Sequence, residues 1–185
     1  MQVISISSLL VPIMHLQSVS RFSLSALEFP MPDIIHRIGI KAPAQAVYNA
    51  LATVTGLAGW WTEEIAGTAG ASEVGGKITF TFRSPAGDLV GQMVMEVEAL
   101  TEAQSVRWRC VDGPPDWIGT KFTFDLTLQD GQTILIFGHR DWAEASESMA
   151  HCSMKWAVFL LSLKDLVLTG KGMPSPGDLK IDNWN

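Results

Sequence analysis

The chain has 185 residues, 47% of them hydrophobic and 17% charged, with a formal net charge of −6. That length and balance point to one globular domain with a substantial core and exclude a wholly disordered chain. With 19 acidic against 13 basic residues and no basic run, phosphate-directed nucleic acid binding is excluded as a main role.

Residues 1–30 do not match the rest. MQVISISSLLVPIMHLQSVSRFSLSALEFP is rich in Ser and Leu, has no acidic residue before Glu28 and shows no clean period. No Lys or Arg precedes its apolar part, as a secretory signal needs, and Ser, Pro and His interrupt it too often for a membrane span. The expectation is a disordered extension, or a true start at Met31. A targeting segment and an extra strand are the remaining readings.

Organised patterning begins after Met31. Ile34 to Lys41 alternates, with Ile34, His36, Ile38 and Ile40 on one face, and stops before Pro43. Pro43 suits a first helical turn, and Val47, Ala50, Leu51 and Val54 then form a helical stripe. Trp60 and Trp61 follow the break at Thr55-Gly56. Adjacent residues cannot share a face, so one tryptophan packs inward while the other lines or covers an opening. Gly67 to Gly76 reads as a loop. Lys77 to Arg83 is then a half-buried strand with Ile78, Phe80 and Phe82 inward.

Ser84 to Asp88 has the composition of a hairpin loop. Leu89, Gly91, Met93, Met95 and Val97 form the inward side of the returning strand, and Trp108 points inward from the next, between Arg107 and Arg109. Those arginines are expected to pair with Glu96 or Glu98 across the sheet. Thr120 to Leu128 places Phe122, Phe124, Leu126 and Leu128 inward, and Asp130-Gly131 is a strong hairpin signal. Thr133 to His139 is apolar on both faces, with Leu135 and Phe137 against Ile134 and Ile136. That fits a central strand or a face covered by another subunit.

The stretch Glu147 to Thr169 carries Met149, Cys152, Trp156, Phe159, Leu160, Leu163, Leu166 and Val167 at helical spacing. Gly170 is the C-cap candidate and Pro174 forbids continuation. Such a helix spans roughly 35 Å at about 1.5 Å per residue and needs a large apolar partner surface. The tally is α+β: a curved antiparallel sheet around a long C-terminal helix, with room for a pocket between them.

The order of these features resembles a known superfamily. The features are Trp60-Trp61 after the first helix, Gly75-Gly76 before the second strand, Thr133…His139…Trp142 at the last strand, and Trp156…Phe159-Leu160…Ser162-Leu163-Lys164 on the final helix. Together they are similar to the SRPBCC (START-like, helix-grip) proteins, in the group of homologues of the activator of the heat-shock chaperone ATPase. The resemblance implies a helix-grip domain over residues 31–176, followed by a tail over 177–185. It also implies seven strands and an internal hydrophobic cavity. Members of the superfamily bind lipids, sterols or polyketides, some are cyclases or hydrolases, and one branch contacts a chaperone.

The leading expectation is a cytoplasmic protein that binds a small apolar or aromatic ligand. Trp60, Trp61, Phe80, Phe82, Met93 and Met95 are candidates for the cavity wall. So are Trp108, Phe122, Phe124, Phe137, Trp156 and Phe159, although an ordinary core uses the same residue types. His139 is the polar candidate, as ligand donor or proton shuttle, against the plainer reading of a histidine satisfied at the sheet edge. His151 and Cys152 are adjacent on a helix and point about 100° apart, which argues against a nucleophile pair. Cys110 and Cys152 read as free thiols. No cofactor or metal is expected, because no ligand spacing recurs. The alternatives are a cyclase, aromatase or hydrolase using His139, and an interaction module for a chaperone or a second copy using Ile134 and Ile136.

Overall fold

The computed structural model describes residues 31–67 and 72–184; the expected extension over 1–30 lies outside them. In chain order the elements are β1 (Ile34–Ile40), α1 (Ala44–Ala52), α2 (Val54–Ala58), β2 (Glu64–Ala66), β3 (Lys77–Arg83), β4 (Leu89–Thr101), β5 (Ser105–Asp112), β6 (Lys121–Gln129), β7 (Gln132–Arg140) and α3 (Glu147–Thr169). The strands form one antiparallel seven-stranded sheet, ordered β1-β7-β6-β5-β4-β3-β2. The long first-to-last pairing sets Ile34 opposite His139 and Ile40 opposite Thr133. This is the α+β helix-grip arrangement, with α3 lying in the concave face.

Local chemistry explains most boundaries. Asp130 and Gly131 have φ of 51° and 73°, the type I′ geometry that matches strand twist and joins β6 to β7. Register shifts within β4, between Val94 and Met95 and between Val97 and Ala99, bend that 13-residue strand and help the sheet curve. Ser146 caps α3 by accepting the Met149 amide at 3.1 Å, and Gly170 ends it with φ of 80°. The short strand β2 was not legible in the pattern, since three residues, EIA, carry no period.

The core lies between the concave face and α3. Trp60, Phe80, Trp108, Phe122, Phe124 and Phe137 are wholly buried there, with Met95 and Leu163. Two expected inward residues are corrected. Leu89 is 62% and Leu128 75% exposed, because each sits at a strand end beside a hairpin turn. Arg109 pairs with both Glu96 and Glu98, as expected, but Arg107 turns to Asp125 on the opposite neighbouring strand. β7 lies between β1 and β6. Leu135 and Phe137 fill the core, while Ile134 on the other face is also buried.

After α3 the chain folds back over the domain. Ser162, polar but 2% exposed, accepts the Met173 amide at 2.7 Å. At Gly172 a Cβ would stand 2.3 Å from the Gly59 carbonyl oxygen, so only glycine permits the crossing. Ser175 then bridges to the segment after α2: its amide donates to Trp61 O at 2.9 Å and its carbonyl accepts the Glu63 amide at 3.1 Å.

Candidate ligand-binding cleft

A cleft of about 380 Å³ opens between the first half of α3, the β3–β4 end of the sheet and the returning C-terminal segment. That volume falls within the range of about 300–1,000 Å³ usual for small-molecule sites. Its floor is apolar. Trp61, held after α2, meets Phe80 at 4.2 Å and Trp156 of α3 at 4.9 Å between ring centroids. Trp156, Phe159 and Cys152 present one helix face, while Phe82 and Met93 contribute from the sheet. Trp117 and Pro114 close one side from the β5–β6 connection.

Of the residues named from the sequence, the cleft gathers Trp61, Phe82, Met93, Trp156 and Phe159. Trp60, Phe80, Met95, Trp108, Phe122, Phe124 and Phe137 lie in the packed core instead. Trp60 and Trp61 divide between core and cleft wall, although both are buried. Trp60 donates its Nε1 proton to Ala50 O at 3.0 Å, and Trp61 backs the cleft.

His139 is sealed behind the floor and does not reach the cleft wall. Its protonation follows from its partners. The Thr120 hydroxyl gives its one proton to Trp117 O at 2.6 Å, so at 2.9 Å His139 Nε2–H must donate to Thr120 Oγ1. Nδ1 then accepts the Trp156 Nε1 proton at 3.2 Å. Both ring nitrogens are satisfied in the neutral form, and burial pushes the pKa down to about 3. The residue therefore orients Trp156 rather than exchanging protons at neutral pH.

The mouth is polar. Lys155 on α3 donates to Asp178 and, at 3.3 Å, to Leu179 O, while its ammonium stands 4.9 Å from the Phe159 ring centroid. The Lys155 and Asp178 side chains are 12% and 3% exposed. Lys180 approaches the other Asp178 oxygen at 3.8 Å. His151 donates through Nδ1 to Asp182 at 2.7 Å and packs on Trp184 at 5.1 Å. Arg83 is held by Glu64 at 2.6 and 3.2 Å.

Asp178, Lys180 and Trp184 come from the segment expected to be a plain tail. Sequence reasoning missed them, together with Trp117 and Lys155. The Trp at 184 and the alternating charges were the available signals, but they have no period. Burial raises the Cys152 thiol to about 11, so it stays protonated at neutral pH and is no nucleophile. Among the described residues no group of three or more His, Cys, Asp or Glu side chains could hold a metal ion. No helix among them is long and apolar enough to cross a membrane.

Comparison with known proteins supplies the relationship. No curated protein matches the sequence. The solution structure of the Aha1 dimer from Colwellia psychrerythraea is 43% identical with a TM-score of 0.65, covering 77% of this chain and 100% of its own. Two more distant structures share the fold alone. CV1439 from Chromobacterium violaceum is 20% identical, with a TM-score of 0.60 over 73% of this chain and 96% of its own. BH1534 from Bacillus halodurans is 23% identical, with a TM-score of 0.56 over 75% and 98%. The model of the family described as activator of Hsp90 ATPase homolog 1-like protein matches residues 41–167. With that match spanning most of a helix-grip domain, this chain belongs to the activator of Hsp90 ATPase homolog 1-like family.

Proposed function

We propose that the protein binds a small hydrophobic or aromatic molecule in the cleft between α3 and the β3–β4 end of the sheet. The observation that carries this reading is an apolar space of about 380 Å³ walled by Trp61, Trp117, Trp156, Phe159 and Met93. An open cleft lined by aromatic side chains leaves apolar surface in contact with water, a cost that an apolar ligand would relieve. Covering about 300 Å² of apolar ligand surface contributes at most about 7 kcal/mol before the costs of association, which sets micromolar affinity as the upper limit. Binding is favoured over catalysis. The buried histidine has both nitrogens engaged, and the one cysteine in the wall is held as a thiol.

Native mass spectrometry of the full chain tests this reading. An adduct of a few hundred daltons that is lost on denaturation supports it. A bare mass, with no change in tryptophan fluorescence across lipid and aromatic compounds, overturns it.

The Colwellia relative is named as a dimer, and we propose that this chain also pairs with a second copy. Met154, Leu161 and Leu168 recur at seven-residue spacing along the outer side of α3 and are 58%, 57% and 44% exposed. Seven-residue spacing keeps the three within about 40° of one line along the helix, so they form one exposed apolar row. Sedimentation equilibrium should show a dimer that Leu161→Lys converts to monomer. A wild-type protein that is monomeric at tens of micromolar refutes the pairing.

A further inference from the structure

The wall of the cleft is biased in charge. The chain as a whole holds 19 acidic and 13 basic residues, yet the side chains around this opening include Arg83, Lys155 and Lys180 against the single carboxylate of Asp178. Composition therefore does not account for the bias. Two of the cations are already matched. Glu64, outside the cleft wall, takes Arg83 in a two-pronged contact at 2.6 and 3.2 Å. Asp178 takes Lys155, and both are largely withdrawn from water.

Lys180 is the most loosely held of the three. It stands 3.8 Å from an Asp178 oxygen, beyond hydrogen-bond length, and that carboxylate is already engaged by Lys155. Lys155 also retains capacity. An ammonium has three donors, and two of them go to Asp178 and Leu179 O. The mouth thus offers one exposed ammonium held only by a long ion pair and one spare donor, beside a floor of Trp61, Trp156 and Phe159.

We propose that the ligand is an amphipathic acid, with an apolar chain or ring system on the aromatic floor and one carboxylate at the mouth between Lys180 and Lys155. This assignment rests on the cleft being a binding site, and it names the class of molecule the site selects. A cationic ligand would meet Lys180 and find Asp178 already occupied. A neutral ligand would leave the Lys180 ammonium with only its long contact to Asp178. An acid matches the floor and the mouth together, and it enters without disturbing the Lys155–Asp178 pair that holds the C-terminal segment in place.

The test is a tryptophan fluorescence titration of the full chain with two matched pairs, decanoate against decanol and naphthoate against naphthamide. Each acid is expected to bind about tenfold tighter than its neutral partner, the scale of one charge-assisted hydrogen bond. Lys180→Gln, at a side chain 44% exposed and so compatible with folding, should remove most of that preference by weakening the two acids. Lys180→Glu should invert it. Equal affinity of acid and neutral partner in the wild type overturns the assignment while leaving the cleft as a binding site. A preference that survives Lys180→Glu overturns it as well. If none of the four compounds binds and native mass spectrometry also finds no adduct, the cleft reading itself fails and the assignment falls with it.

Discussion

His139 makes a quantitative demand on how the protein responds to acid. Its ring is neutral in the fold, donating to Thr120 and accepting from Trp156, with burial holding its pKa near 3 against an ordinary 6.5. In the unfolded chain the same ring protonates near 6.5. Between these two values the unfolded state binds one more proton than the native state, so stability rises with pH through that window and falls as pH drops. The loss begins as pH falls below about 7 and steepens to about 1.4 kcal/mol per unit; between pH 7 and 5 it totals about 2 kcal/mol. The measurement is urea unfolding of the wild type and of His139→Gln at several pH values. At pH 7 the variant should be less stable by about 1–3 kcal/mol, the cost of disturbing buried hydrogen bonds. That gap should shrink by about 2 kcal/mol on going to pH 5, because glutamine does not titrate. Every other carboxylate and histidine is common to the two proteins and cancels in the difference. A gap that stays constant from pH 7 to 5 would refute the neutral, doubly bonded histidine.

Other expectations follow from the cleft. Val90 lies in its wall yet is 62% exposed, so Val90→Trp should block ligand entry, weakening binding at least about fivefold, with stability changed by no more than about 0.5 kcal/mol. Unchanged affinity in a fluorescence titration would move the site elsewhere. Asp178→Asn leaves the Lys155 ammonium 12% exposed and without its partner; unfolding experiments should show a loss of about 3 kcal/mol, and limited proteolysis should cut first within residues 175–184. Cys152, raised to about 11, should react with iodoacetamide at pH 8 on the order of a hundredfold more slowly than a free thiol. Rapid alkylation of the folded protein would show that the thiol is not buried as described.

Local order was legible in the sequence. The bounds of α3, from Glu147 to Thr169, follow from a stripe at helical spacing closed by Gly170, and the β6–β7 hairpin follows from Asp130-Gly131. These signals are legible because residues only a few positions apart decide them. The division of the aromatic residues was not. Phe80 and Phe82 share one face of β3, yet Phe80 is sealed in the core and Phe82 lines the cleft; period-two alternation marks a face but not where along it the packing gives out. Nor could spacing reveal that His139 is pinned by Thr120 and Trp156, 19 and 17 positions away. The C-terminal segment shows the limit most clearly. Asp178, Lys180 and Trp184 have no periodicity of their own, and they become part of a site only because Gly172 and Ser175 bring the chain back across α2 and the mouth of the sheet. Secondary structure was written in neighbouring residues; the cleft exists only where distant segments meet, and tertiary packing alone decided its walls.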